Sequence, residues 1–389
     1  MPPVAVRILH AEGEPESGPL ERSLVAARAE LAERHRRGFL AAGALDVRVV
    51  AGPPDRLSFG ARLAGLAADA LRAGAGGLVV LGSGSIALAT ERDRRAFVVA
   101  AAALLPAALA NNVYSADIVA VSGTTLLREL RDLPDLPADN ALPRWLAEVA
   151  RVPVAGLDRW RLGIDLDSPL DLLLTGWPRE PARLRMAGLD IDAVMGRLGR
   201  VRVVLADRRA ELVVAGRTST RTLGALERGA ACRVRALVEE RGLRAASSLA
   251  FGPAGGVGGG AAAAGAARGD DATVASRPPR STLGLLVDRD GPEALGRLLA
   301  ELGDGAVVDT RVLMAHQFGA DEAGWPAAED RFAGDLLLPD RIADPWLRAL
   351  IAGLHDAPIP ILAGGHTLVG PGIRLVAARH SSRPAARTA

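Results

Sequence analysis

The sequence contains no lysine, so all 47 of its basic residues are arginines. This absence excludes Schiff-base chemistry on a lysine, a phosphate-binding loop that depends on a lysine, and a lysine general base. Arginine keeps its charge throughout the physiological pH range and binds phosphate through two N–H groups at once. Anion binding therefore stays open to this chain, whereas base catalysis by its basic residues does not.

Cysteine and aromatic residues are also scarce. The single cysteine, Cys232, excludes an intrachain disulfide and a cluster of thiolate metal ligands. Aromatic residues make up 3% of the chain, with one tyrosine, which argues against a stacking platform for single-stranded nucleic acid. The formal net charge of +2 gives little long-range attraction to a polyanion. We expect no nucleic-acid partner.

Long apolar runs are missing as well. The longest spans residues 96–110, is interrupted by Pro106, and falls short of the ~18–20 residues that a bilayer-spanning helix needs. The first residues lack the basic and apolar regions of a secretory signal. We expect a cytoplasmic protein with no membrane partner.

What is present is a chain of 389 residues, 49% of them hydrophobic, in which strand-like and helix-like segments alternate. Alternation of this kind predicts an α/β fold with a mostly parallel sheet and helices on both faces. We predict a first domain over residues 1–180 and a second α/β domain over 181–250 and 281–379. The Gly/Ala-rich composition of 251–280 predicts a flexible loop, and 380–389 reads as a frayed tail. Within the second domain we predict strands over 201–206 and 211–214 and one long helix over 222–241.

A small-residue loop follows one of the apolar strands. The run over 77–81 leads into Gly82, Ser83, Gly84 and Ser85. Open α/β sheets place ligands beyond the carboxyl ends of their strands, and glycine there allows backbone N–H groups to approach a phosphate. A tight turn that needs glycine at positive φ explains the same residues without a ligand. Both interpretations stay open.

Two carboxylates lie further along the chain, at Asp165 and Asp167. Alternate residues of an extended segment point to one face, and paired carboxylates suit Mg²⁺ bound together with phosphates. The next residues, Ser168 and Pro169, are typical of a helix start, with a serine cap and proline in the first turn. The acids then have the alternative role of beginning a helix.

These segments together resemble the nucleotidyltransferases of the glycosyltransferase-A-like fold, in particular the phospholactate and molybdenum-cofactor guanylyltransferases. The resemblance covers residues 1–180 and is carried by Gly82–Ser85 and by the Asp-Leu-Asp-Ser-Pro-Leu-Asp-Leu segment from Asp165. It implies a nucleotide-diphospho-sugar-transferase-like fold that binds a nucleotide, or another phosphate-containing ligand, at Gly82–Ser85 with Mg²⁺ on Asp165 and Asp167. Asn112 lies where the resemblance implies a ligand-binding loop.

The chain departs from the family pattern at two places. The loop after the first strand, residues 11–18, is acidic and lacks the arginine and lysine that such enzymes carry. Gly84 stands where the resemblance implies a metal-binding aspartate. A catalytically inactive binding or regulatory module is therefore the alternative to a transferase.

Two further sets of residues are candidates in the second domain. Arg217, Thr218 and Ser219 precede a predicted helix, where they either cap it or bind an anion. His366, in a glycine-rich turn, is a candidate ligand-binding residue. With His316 and Glu329 it forms an alternative enzyme site, whereas surface charge and a plain turn explain the same residues without one.

Overall fold

The computed structural model describes residues 2–53, 57–133, 136, 141–177, 180–239 and 279–378. These residues fall into two compact units: the first ends at Asp167 and the second begins at Ser168. The sequence places the domain boundary near residue 180. The predicted loop at 251–280 lies outside the described residues except for 279 and 280, and the predicted tail at 380–389 lies outside them entirely.

The first unit alternates strands and helices. Its elements are β1 (Val4–Ala11), α1 (Pro19–Ala41), β2 (Asp46–Gly52), α2 (Phe59–Arg72), β3 (Gly77–Gly82), α3 (Glu91–Ala101), β4 (Ala107–Ala110), β5 (Ile118–Ser122), α4 (Thr124–Arg131), α5 (Leu142–Glu148) and β6 (Val154–Gly156), followed by a 3₁₀ turn at Trp160–Gly163.

Its strands form one mixed sheet in the order β2-β1-β3-β5-β4-β6. β5 is antiparallel to both of its neighbours, and the other pairs are parallel. One face of the sheet packs on a cluster that includes Leu63, Leu127 and Trp145, and the other packs on a cluster that includes Phe39 and Phe97. The first cluster brings in α2, α4 and α5, and the second brings in α1 and α3. The predicted α/β class is confirmed.

The second unit has its own sheet. Its elements are α6 (Pro169–Leu174), α7 (Glu180–Met186), α8 (Ile191–Ala206), β7 (Glu211–Gly216), α9 (Thr220–Gly229), β8 (Arg233–Val238), α10 (Thr282–Asp290), α11 (Leu295–Ala300), β9 (Gly305–Asp309), α12 (Thr310–Phe318), α13 (Ala328–Asp335), α14 (Pro345–His355), β10 (Ile361–Gly364), α15 (His366–Val369) and α16 (Ile373–Ala377). The strands run in the order β10-β9-β7-β8 and are all parallel.

Two predicted elements of this unit are wrong. Residues 201–206 include three β-branched valines and predict a strand, but they form the end of α8. That helix buries Ile191, Val194, Leu198 and Val201 at helical spacing, so packing overrides local propensity. The predicted helix over 222–241 ends at Gly229, and β8 follows it as an edge strand.

No helix in the described ranges is both long enough and apolar enough to cross a membrane.

Candidate functional site

The candidate site lies where β1 and β3 end side by side. β1 lies between β2 and β3 and is parallel to both. The chain goes from β1 to β2 on one side of the sheet and from β3 towards β4 and β5 on the other, so the connections leave these two strands in opposite directions. Such a topological switch point is where open α/β sheets form a crevice beyond the carboxyl ends of their strands. The Gly82–Ser85 loop leaves β3 at this point.

Hydrogen bonds fix the loop to the end of β1. The Ser83 amide donates to the Leu9 carbonyl at 2.7 Å, and the Ser83 hydroxyl lies 3.0 Å from Nδ1 of His10. Burial and then the charge of Arg28 lower the pKa of His10, so this imidazole is neutral at pH 7. The amide of Gly84 has no hydrogen-bond partner among the described residues, which leaves it available as a donor to a ligand.

The structure brings the Asp165–Asp167 segment against this loop. The Leu166 amide donates to the Gly84 carbonyl at 2.9 Å, and the Ile86 amide donates to Oδ1 of Asp165 at 2.9 Å. Two segments about 80 residues apart in sequence therefore meet at this edge.

Asp165 is buried in a cluster of acids. Asp165 is 5% exposed. Burial raises the pKa of Asp165 well above its ordinary value, and the carboxylates of Asp117 and Asp167 raise it further. Asp117 is in turn held by Asn111, whose Nδ2 donates to it at 2.6 Å. A carboxyl group with a raised pKa beside a second carboxylate is typical of functional sites.

Asp117 was not among the predicted site residues, because its place depends on strand direction. β5 is antiparallel to β3, so its first residues lie at the edge where β3 ends. Asn111 follows β4 at the same edge. A fully parallel sheet would have placed Asp117 at the opposite edge, and no local sequence signal distinguishes the two cases.

Arg28 is the second residue that sequence reasoning missed. Its Nε donates to the Leu166 carbonyl at 2.7 Å, and its Nη2 lies 3.4 Å from Oδ1 of Asp167. A Cβ on Gly84 would lie only 2.9 Å from the Arg28 Nε. Glycine at this position therefore admits the guanidinium beside the loop. Arg28 is one arginine among several in α1, so its spacing gave no signal.

The predicted metal ligands have different surroundings. The Asp165 carboxyl group accepts a hydrogen bond from the Ile86 amide, whereas the side chain of Asp167 is 50% exposed. The described residues contain no group of three or more His, Cys, Asp or Glu side chains arranged to hold a metal. They do not fit a metal held by the protein alone. Mg²⁺ often binds through one or two carboxylates and the phosphates of its ligand, and Asp167 is accessible for that role.

Asn112 lies beside the cluster but does not join it. Its Oδ1 accepts a hydrogen bond from the Tyr114 amide at 2.9 Å, which closes a local turn. The neighbouring Asn111 is the residue that binds Asp117. A ligand-binding role for Asn112 stays a prediction.

The predicted residues of the second unit lie at a corresponding edge, where β7 and β9 end. Arg217 donates from Nε and Nη2 to the two carboxylate oxygens of Asp309, at 2.7 and 3.1 Å. Ser219 caps α9 by accepting from the Thr222 amide, and Thr218 is buried. His366 begins α15, and its charge acts to lower the pKa of Asp309. Arg217 is therefore engaged by a carboxylate in this conformation.

His316, named for the alternative enzyme site, has hydrogen-bond partners of its own, and that site stays a prediction. The His316 Nδ1 accepts from the Ser281 amide at 3.0 Å, and its Nε2 lies 2.9 Å from Asp288. These bonds place the ring against α10 and involve neither His366 nor Glu329.

Comparison with protein-family models gave no match, and the search of curated proteins found no relative.

Proposed function

We propose that the first unit binds a nucleotide or another phosphate-containing small molecule where β1 and β3 end, as the nucleotidyltransferases it resembles do. The observation that carries this proposal is the meeting of the Gly82–Ser85 loop with the Asp165–Asp167 segment at the switch point.

The residues at this edge supply the donors that a phosphate needs. The Gly84 amide is available, and Arg28 adds a guanidinium next to it. Hydrogen bonds from charged donors to phosphate oxygens are the stronger kind. Arginine thus supplies at Arg28 the positive charge that the acidic loop after β1 lacks.

A divalent cation enters this proposal with the ligand. Glu12, Glu14 and Glu16 are exposed in the loop that follows β1, and they repel a bare triphosphate. Magnesium bound to the phosphates reduces that repulsion, and Asp167 is the carboxylate that would complete its coordination. We therefore expect the magnesium complex to bind better than the free triphosphate.

Calorimetric titration with GTP, CTP, ATP and UTP, each with Mg²⁺, tests the proposal. We expect at least one of them to bind the folded protein, and Arg28→Ala to weaken that binding about 10- to 100-fold, because charged hydrogen bonds contribute about 1.5–3 kcal/mol. The matched control is Arg37→Ala, which removes a 70% exposed arginine from the same helix and is expected to bind like the wild type. Absence of binding by all four nucleotides and by magnesium tripolyphosphate, or equal losses in the two variants, would overturn the proposal.

Binding without nucleotidyl transfer is the second candidate function. It is favoured by the contact between Gly84 and Arg28, which fills with a guanidinium the place where the resemblance implies a metal-binding aspartate. We assign no catalytic residue. Pyrophosphate release from any nucleoside triphosphate in the presence of an acceptor would contradict this second candidate.

A further inference from the structure

The residue after the small-residue loop has a strained backbone. Ile86 is fully buried and adopts φ +47°. A β-branched side chain is strongly disfavoured at positive φ, so the surrounding structure must impose this conformation. Strained residues of this kind are concentrated at functional sites.

Hydrogen bonds hold the peptide group before Ile86 at both of its ends. The Ser85 carbonyl lies 2.9 Å from Nε2 of His35, and the Ile86 amide donates to Asp165 at 2.9 Å. The carbonyl and the amide belong to one peptide unit, so its orientation is fixed from α1 on one side and from the Asp165 segment on the other.

His35 links this peptide group to an arginine. Burial, followed by the charge of Arg94, lowers the pKa of His35 to about 3, so the ring is neutral at physiological pH. Nε2 carries the ring proton because it faces a carbonyl, which leaves Nδ1 to accept from Arg94 Nη2 at 3.4 Å. The chain of contacts therefore runs from Arg94 through His35 to the strained peptide and Asp165.

Arg94 is a buried cation without a carboxylate bound to it. It is 6% exposed, and no acid forms a salt bridge or hydrogen bond with it in the described part of the chain. The neighbouring Asp93 is bound by Arg159 and Arg161 instead. Within the described ranges, the Nε of Arg94 has no hydrogen-bond partner. Burying a charge in this way is costly unless something offsets it.

The fold makes room for this arginine. A Cβ on Gly38 of α1 would lie 2.7 Å from Cδ of Arg94, so the guanidinium occupies space that only glycine leaves open. A costly charge that lies in a tailored space and contacts the loop-holding histidine indicates a role at the loop.

We propose that Arg94 and His35 are positioning residues for a bound phosphate. They hold the Ser85–Ile86 peptide in its strained orientation, which sets the Gly84 amide, and Arg94 places a fixed positive charge behind the loop. The phosphate offsets that charge when it binds. This inference rests on the proposed function of the same edge.

The test uses tripolyphosphate with Mg²⁺, a probe that does not depend on the nucleotide base, and compares its affinity with thermal stability. Arg94→Met keeps the length of the side chain and removes the charge. We expect it to weaken binding at least tenfold while the melting temperature stays the same or rises, because a buried charge without a bound carboxylate has been removed. Arg95→Met removes a 62% exposed arginine from the same helix and is the matched control, expected to change neither quantity.

His35 supplies an independent variant. Gln at position 35 can donate to the Ser85 carbonyl and accept from Arg94, whereas Leu can do neither. We expect His35→Gln to retain most of the affinity and His35→Leu to lose it. If the wild type does not bind tripolyphosphate, the proposed function fails. If it binds and Arg94→Met binds equally well, or loses affinity only together with stability, the positioning role is overturned.

Discussion

The sheets of the two units share a topological feature, but different residues lie at the edges where their strands end. In each sheet the chain leaves two adjacent parallel strands in opposite directions, β1 and β3 in the first and β7 and β9 in the second. At the first edge lie a small-residue loop, a half-exposed carboxylate and a buried acid with a raised pKa. At the second edge, arginines and aspartates bind each other in pairs.

The paired edge holds its buried carboxylates in ion pairs with arginines. Arg217 binds Asp309 and Arg311 binds Asp335, each through two hydrogen bonds to fully buried carboxylates. Burial acts to raise the pKa of both acids. At Asp309 the charge and hydrogen bonds of Arg217, with the charges of His366 and Arg311, outweigh burial and lower the pKa, whereas at Asp335 burial prevails and the pKa is raised. The first edge instead keeps buried groups without a partner of opposite charge, namely Asp165 among other acids and Arg94 without a bound carboxylate. Residues retained at such a cost indicate function, whereas matched pairs indicate stability.

The largest effect is expected from unpairing the second edge. Asp309→Asn leaves Arg217 buried without a countercharge, and loss of one partner of a buried ion pair costs about 3–5 kcal/mol. Urea unfolding followed by circular dichroism measures this loss. Asp132→Asn, which disrupts an exposed pair with Arg131, is the control and is expected to change stability by less than about 1 kcal/mol. A small effect at Asp309 would remove the distinction between the two edges.

At the first edge, removing a charge is expected to stabilise. Asp165→Asn keeps an oxygen that accepts from the Ile86 amide and relieves the repulsion by Asp117 and Asp167. The pKa of Asp165 is raised in the folded state, so the stability that this group contributes is full below its unfolded pKa and is lost as pH rises through the folded value. The advantage of the variant should therefore grow with pH.

Unfolding free energies of Asp165→Asn and the wild type at pH 5 and pH 8 measure this effect. We expect the variant to be more stable than the wild type at pH 8, and by a smaller margin at pH 5. A variant that is less stable than the wild type at both pH values would show that Asp165 is a structural acid like Asp309.

A smaller loss is expected at the helix cap of the second edge. Ser219→Ala removes the side-chain acceptor for the Thr222 amide, and loss of such a cap costs about 1 kcal/mol. Tripolyphosphate affinity should not change, because Ser219 lies at the edge where arginines and aspartates are paired with each other. A loss of affinity in this variant would move the binding site to the second unit.

The smallest effect on stability is expected at Gly84. A Cβ there would lie 2.9 Å from Arg28 Nε and 3.1 Å from the Leu166 carbonyl, so Gly84→Ala displaces the flexible arginine. We expect affinity for tripolyphosphate to fall about three- to fivefold, with a stability change under about 1 kcal/mol. Gly65→Ala, at an exposed helical glycine with open space around it, should leave affinity unaltered. Equal affinities in both variants would exclude Arg28 from the site.

Local signals in the sequence predicted much of this arrangement. The apolar run before Gly82 predicted β3, and Ser168 and Ser219 carried the signature of helix caps, which both of them form. These features depend on neighbouring residues only, so they can be read from the chain.

Features set by distant contacts were not predictable in the same way. The direction of β5 decides where Asp117 lies, and the missing side chain of Gly38 becomes meaningful only once α3 packs on α1 and brings Arg94 there. The sequence of β8 contains two arginines and continues the polar pattern of the preceding helix. It lacks the apolar run of a buried strand because its side chains are mostly exposed at the edge of the sheet. In each case tertiary packing, rather than local pattern, determines the outcome.

Hydrogen–deuterium exchange with and without magnesium tripolyphosphate separates the two edges, because it reports on both in one experiment. We expect the probe to slow exchange in peptides covering residues 82–87 and to leave those covering 216–222 unaffected. Slowed exchange at 216–222 alone, or at neither edge, would contradict it.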